Sequence, residues 1–481
     1  MDNLFDPQPR PPFWIDAPWR TLFRWLLLVF VLMLLAWIGK VAAEPSAQSL
    51  YAEHCATCHG ADRLGAMGPA LLPENLERLR RQAAEQVIAD GRPATQMPRF
   101  ADKLSPEQIK QLAELIYAPL PQMPVWDMQE ISASRIQHRR PDELTDRPRF
   151  DADPLNLFVV VEAGDHHATI LDGDRLEPLV RFPTRFALHG GPKFSPDGRY
   201  VYFASRDGWI SKYDLWGLTM VAETRAGINT RNAAVSSDGR FVMVGNYLPH
   251  TLVVLDAVDL KPLTVIAVRD ETGKSSRVSA VYDAGPRGSF VVALKDIPEL
   301  WEVFYTERHE PVYQGLVHDY RGGEGLADVG PFPVRRTRLD EYLDDFFFDP
   351  SYAYVIGAAR EGGKGQVVNL DVRRKVAAVD LPGLPHLGSG ISWERDGRPV
   401  MATPNLKQGL VSVIDMKSWT TVKQIETLGP GFFLRSHENT PYAWVDALNS
   451  PAKDALQVID KRTLEVVRTL RPEPGKSAAH V

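Results

Sequence analysis

The chain has 481 residues, 44% of them apolar and 24% charged, which is too long for one ordinary domain and sufficient for two or more cored units. Its net charge of −6 excludes the basic footprint that a nucleic-acid partner requires. Both cysteines fall in one short motif, so none remains for a structural disulfide. At the start of the chain, Arg20 and Arg24 precede an apolar run from Trp25 to Ile38, followed by Val41, Ala42, Ala43 and Glu44. Small residues at 41 and 43 suit cleavage of a signal peptide before Glu44. An uncleaved anchor from Leu22 to Val41 would have the roughly 20 residues that span a bilayer. Either reading of residues 1–44 leaves the arginines inside and places the bulk of the chain in the periplasm.

Residues 45–121 are expected to form an all-α domain around Cys55-Ala-Thr-Cys58-His59. Two thiols at this spacing add to the vinyl groups of a c-type haem, and the adjacent His59 ligates its iron. A thioredoxin-like thiol pair is the alternative, and it has no use for His59. A short helix runs into the motif. Downstream, Ser105, Pro106 and Gln108 form a helix start, and Ile109, Leu112, Ala113 and Ile116 repeat on one helical face. This bracketing by two helices resembles small class I cytochromes c. Met97, in a loop before Pro98, is the candidate sixth ligand. Met67 lies only eight residues past His59, too close to reach the opposite face. His54 is expected to be an exposed helix residue.

Residues 122–149 are rich in proline and charge and read as a linker with one short helix around 128–137. From 150 to 481 one pattern recurs: Ser195-Pro-Asp-Gly and Ser236-Ser-Asp-Gly turns, each followed by alternating bulky residues. Aspartates predicted to end the third strand of each unit stand at 172, 214 and 256, then at 371, 415 and 460. A further copy lies around Phe290 to Tyr305. A period of 40 to 45 residues with four strands per unit predicts a mainly β fold, a β-propeller with seven blades visible and an eighth begun. A β-sandwich is the alternative, and it gives no reason for so even a spacing. Residues 477–481 read as the first strand of an eighth blade, which is truncated unless a strand near Phe150 closes the ring.

The residues before each blade's first strand gather on one rim. His189, Arg231, Arg277, His386 and His480 hold that position, and imidazoles with guanidiniums suit an iron macrocycle bearing carboxylates. His437 falls on the opposite rim and is read as structural. His138, His166, His167, His250, His309 and His318 receive no role.

The haem c domain and propeller together resemble the cytochrome cd1 nitrite reductase family from about residue 50 to the end. The likeness is strongest from Phe186-Ala-Leu-His189 through Arg206-Asp-Gly to Asp214-Leu-Trp216. It implies that His189 is the proximal ligand of a non-covalent haem d1, with Arg206, Arg231 and Arg277 on its carboxylates. Reductases of this family use two distal histidines. His386 matches one of them, and Asp344 stands at the other. That departure is similar to the dihydro-haem d1 dehydrogenase branch. The likeness implies oxidation of a precursor propionate to an acrylate, His480 as distal iron ligand and His386 as general base or proton relay. Electrons would leave through the c-type haem to a soluble cytochrome or cupredoxin. Nitrite reduction, and a carrier that delivers finished haem d1 to nitrite reductase, are the rivals. A propeller without tetrapyrrole, serving only as a docking surface, is a weaker one.

Overall fold

The computed structural model describes residues 23–30, 45–77, 79–92, 97–122, 124–162, 165–307, 309, 311–312, 318–319, 323–324, 330–358 and 364–478. Residues 23–30 are helical, and no helix among the described residues is long and apolar enough to cross a membrane. Val41 to Ala43 and His480 lie outside the described residues.

Helices α1 (Ala47–His54), α2 (Ala56–His59), α3 (Arg81–Asp90) and α4 (Pro106–Tyr117) form the first unit. Ser46 caps α1 through the Ser49 amide, and α4 carries the expected box, Ser105 and Gln108 each bonding the other's backbone. Ile109, Leu112, Ala113 and Ile116 are buried against Leu50, Tyr51 and Ile88. Arg63 satisfies the orphan carbonyls at the end of α4, donating to Ala118 O at 2.9 Å and to Leu115 O.

The expected linker is a built part of the propeller rather than a spacer. Its helix α5 (Met128–Ser134) opens on a box between Asp127 and Glu130 and stops at Ser134. Residues 136–137 then pair with the strand Thr219–Arg225 as a fifth strand of one blade. Proline marked the breaks in this segment, but the burial of Ile131 in the core between two blades decided its placement. Ile131→Ala is expected to cost about 2–5 kcal/mol, because it empties a fully enclosed site. Denaturant titration of the two proteins measures it.

Behind this docked segment, Glu223 is buried and accepts from Arg185 at 2.7 and 2.8 Å, from Ser211 at 2.9 Å and pairs with His138 at 2.9 Å. Burial raises its carboxyl, but the bonds from Arg185 and His138 outweigh this and hold it below the usual range. A depressed folded value stabilises the fold above the unfolded value. Glu223→Gln should therefore lower stability at neutral pH, and the gap from the parent should close as pH falls below about 4.3. Melting curves recorded across the acid range test the sign.

Among the described residues, seven antiparallel sheets of three to five strands follow, spanning 157–183, 193–225, 229–267, 278–338, 345–380, 391–426 and 434–470, and a two-stranded sheet pairs 318–319 with 323–324. Asp-Gly turns join first to second strands, with Gly198 and Gly239 at φ +72° and +71°, a region costly for residues with a Cβ. The recurring third-strand aspartate has a mechanical reason: its carboxylate accepts the backbone N–H two residues on and so fixes the next turn. Asp256 takes Val258 N at 2.7 Å, and Asp415 takes Lys417 N and Ser418 N at 2.9 and 2.8 Å. In the fifth sheet this work falls to Asn369, not Asp371; Asn369 accepts from Asp371 N and Val372 N at 2.9 Å. The long middle stretch is one blade whose fourth strand, Val334–Arg338, comes after an insertion.

Apolar clusters join each sheet to the next from the first to the seventh. Among the described residues none joins the seventh to the first. Among the described residues the first sheet has three strands, with no neighbour on the inner side of Leu157–Glu162, and its Phe158 and Val160 are 52% and 41% exposed.

The cytochrome unit rests on the rim formed by the blade-to-blade connections. Ala70 and Leu72 pack on Ile228 and Leu248 beside Leu64, Leu120 and Trp126. Asn75 donates to Ile228 O at 3.4 Å, and Arg225 donates to Leu64 O.

Candidate functional site: a haem c centre beside a basic propeller rim

Cys55 and Cys58 lie one helical turn apart at the junction of α1 and α2, both half-buried, and no disulfide joins them. His59 is buried, with Nδ1 at 2.8 Å from Pro69 O. A carbonyl can only accept, so Nδ1 carries the proton and Nε2 keeps its lone pair for iron. Burial pushes the imidazole below the usual histidine range despite the opposing bond to Pro69, which keeps it neutral as a ligand must be. A Cβ on Gly68 would stand 2.8 Å from His59 Cε1, so only glycine leaves the ring its place. Met97 is half-buried against the same cluster as Cys55 and Ala56, and its carbonyl accepts from Arg92 N at 3.1 Å. These residues fit a covalently held haem with Met97 and His59 both drawn from its lining.

The propeller rim facing this domain carries the second centre. His189, in the connection before the second blade, is anchored by its amide to Ala204 O at 2.8 Å. Its Nδ1 lies 2.7 Å from Arg231 O, so Nε2 again holds the lone pair. Arg206 and Arg231 donate to that nitrogen at 3.0 and 3.2 Å. These two arginines therefore converge on His189. Arg277 is placed differently. It forks onto Asp296 at 2.9 and 2.7 Å and reaches Glu77 of the cytochrome unit at 3.4 Å. Its charge holds the two units together.

His386 lies before the sixth blade, with its amide on Pro404 O at 2.9 Å and Nδ1 2.5 Å from Phe432 O. Its Nε2 is accordingly the basic nitrogen. Phe432 and Phe433 present their edges to the ring. Asp344 pairs with Lys295 Nζ at 2.7 Å, which removes it as a proton donor. His437 lies on the far rim, where Nδ1 accepts from Asn439 N at 3.1 Å beside a cavity lined by Trp393 and Glu394.

Sequence reasoning missed the groups lining the axis. Lys193 donates to Gly190 O at 2.5 Å, and burial, with the nearby Arg435 charge, depresses its ammonium. Arg435 donates to Ser389 Oγ at 3.0 Å. Asp345 accepts from Tyr282 Oη at 2.8 Å and from Gly388 N at 2.9 Å. With Arg206 and Arg231, this makes a cationic bowl around one carboxyl, suited to a planar ligand bearing several carboxylates.

A unit with a c-type haem attachment motif docked on the histidine- and arginine-bearing rim of a propeller has the layout of a two-centre redox protein. The chain belongs to the cytochrome D1 heme domain family, whose model matches residues 152–317 and 325–481. The model of cbb3-type cytochrome C oxidase subunit III matches residues 42–116. The chain is 54% identical to the dihydro-heme d1 dehydrogenase of Pseudomonas aeruginosa, over 92% of this chain and 85% of that one. It is 25% identical to the nitrite reductase of Stutzerimonas stutzeri, over 86% and 77% of the two chains. A solved structure of dihydro-heme d1 dehydrogenase NirN in complex with DHE superposes with a TM-score of 0.83 at 54% identity, covering 90% of this chain and 89% of that one.

Proposed function

We propose that this protein is a dihydro-haem d1 dehydrogenase, which oxidises a propionate side chain of the haem d1 precursor to an acrylate. The observation that carries this reading is the His189 lone pair inside the bowl of Arg206, Arg231, Lys193 and Arg435, on the rim where the cytochrome unit docks. The likeness to the Pseudomonas aeruginosa dehydrogenase supports it. When the macrocycle binds, Arg206 and Arg231 would exchange the His189 nitrogen for substrate carboxylates, leaving His189 to the iron of the substrate.

Chemically, one C–H bond breaks on each of two adjacent methylenes and a C=C bond forms. His386 Nε2 takes one proton, the other reaches solvent, and two electrons leave. Cys55, Cys58, His59 and Met97 would hold the c-type haem, which would supply one-electron transfer from the substrate toward a soluble cytochrome or cupredoxin. Little functional-group power is required beyond a base and accurate placement of the side chain. The salt bridge that holds Asp344 disfavours nitrite reduction.

His480 as second axial ligand and periplasmic residence, by signal or anchor, belong to the same reading. So does an eighth blade in the gap beside Phe158 and Val160, supported by the exposed Tyr442 and Val467 on the seventh sheet. The deciding experiment mixes holoprotein with dihydro-haem d1 and an electron acceptor. A shift of the absorption spectrum to that of haem d1 is expected. An unchanged spectrum would leave a carrier, and rapid turnover of nitrite to nitric oxide would favour a reductase.

A further inference from the structure

The turn Leu387–Ser389 follows directly from His386, and its amide at Gly388 donates to Asp345 Oδ2 at 2.9 Å. The same carboxyl takes Tyr282 Oη and its neighbour's amide, Phe346 N, on Oδ1 at 2.8 and 2.9 Å. A Cβ at 388 would stand 2.3 Å from Asp345 Oδ2 and 2.4 Å from Tyr282 Oη, so only glycine lets the three groups meet. The packing ties a buried acid on the fifth blade to the turn that carries the base on the sixth. The two adjacent acids take different partners: Asp344 pairs with Lys295, and Asp345 meets Tyr282 and Gly388.

We propose that Asp345 is a positioning and charge-compensating residue for His386, fixing its turn and stabilising the imidazolium formed when Nε2 takes the substrate proton. This rests on the dehydrogenase reading above. The charged and titratable groups facing Asp345 are Arg231 from the third blade, Tyr282 from the fourth, Lys193 from the second and His386 itself. Burial raises the Asp345 carboxyl, while Arg231, the Tyr282 bond and His386 pull it down. A positive charge on His386 favours the ionised form of Asp345, and the ionised acid in turn favours the charged imidazole that a base becomes.

The test compares holoprotein with Asp345→Asn, which keeps the size and one acceptor oxygen of the side chain but loses the charge and the second acceptor. Binding of dihydro-haem d1, followed by absorbance, should stay within about twofold, while single-turnover dehydrogenation slows about tenfold or more. The acid limb of the pH–rate profile should move to lower pH. In substrate-free protein, the His386 ring resonances should also titrate at lower pH by NMR. Gly388→Ala, which pushes the acid from the turn, should slow turnover with a similar retention of binding. Unchanged rate and titration in Asp345→Asn, or parallel loss of binding and rate, would overturn the proposal. Failure of the parent protein to dehydrogenate would overturn the function itself, which is a separate and recognisable result.

Discussion

Replacing His189 with alanine is expected to abolish tight tetrapyrrole binding, weakening it by at least about 100-fold. The reason is stereochemical. His189 is held by its amide on Ala204 O and by Nδ1 on Arg231 O, so Nε2 is already aimed when the macrocycle arrives. Alanine removes the metal bond and releases Arg206 and Arg231 from the nitrogen they share. Absorbance titration of the substituted protein measures the loss, and the c-haem spectrum reports that the rest of the chain is intact. Retention of the red-region band at parental affinity would remove iron ligation from His189.

The second large effect concerns Met97. A thioether ligand favours reduced iron, so Met97→Ala should lower the c-haem potential by an amount on the order of 100 mV or more. Electron entry from the substrate would become uphill and the dehydrogenation rate would fall, while tetrapyrrole binding on the propeller stays unchanged. Spectroelectrochemistry reads the potential directly. An unaltered value would assign the sixth position to another group. The two substitutions dissect the protein cleanly, because one removes binding and the other removes the sink for electrons.

Asp344 and Asp345 show how far a linear reading reaches. Adjacent in sequence, they look alike, and only Asp344 drew attention, because it replaces a family histidine. Lys295 pairs with one, whereas Tyr282 and Gly388 give the other its surroundings. Arg277 carries the same lesson. Its register matches Arg231, yet Asp296 and Glu77 claim its fork, and neither partner is near it in sequence.

Local chemistry was readable from the chain alone. Haem attachment needs contiguous Cys55, Cys58 and His59, a capping box needs Ser105 and Gln108 three residues apart, and Asp-Gly turns and turn-closing aspartates act over two or three residues. Each of these interactions closes within one turn, so the spacing itself encodes it. The tertiary structure alone decided that the proline-rich segment docks as a strand, that Asn369 replaces Asp371, and that Lys193, Tyr282, Asp345 and Arg435 meet on one axis. Those contacts join residues tens to hundreds of positions apart. They exist only because successive sheets bury their apolar faces against one another and curve the row about one axis.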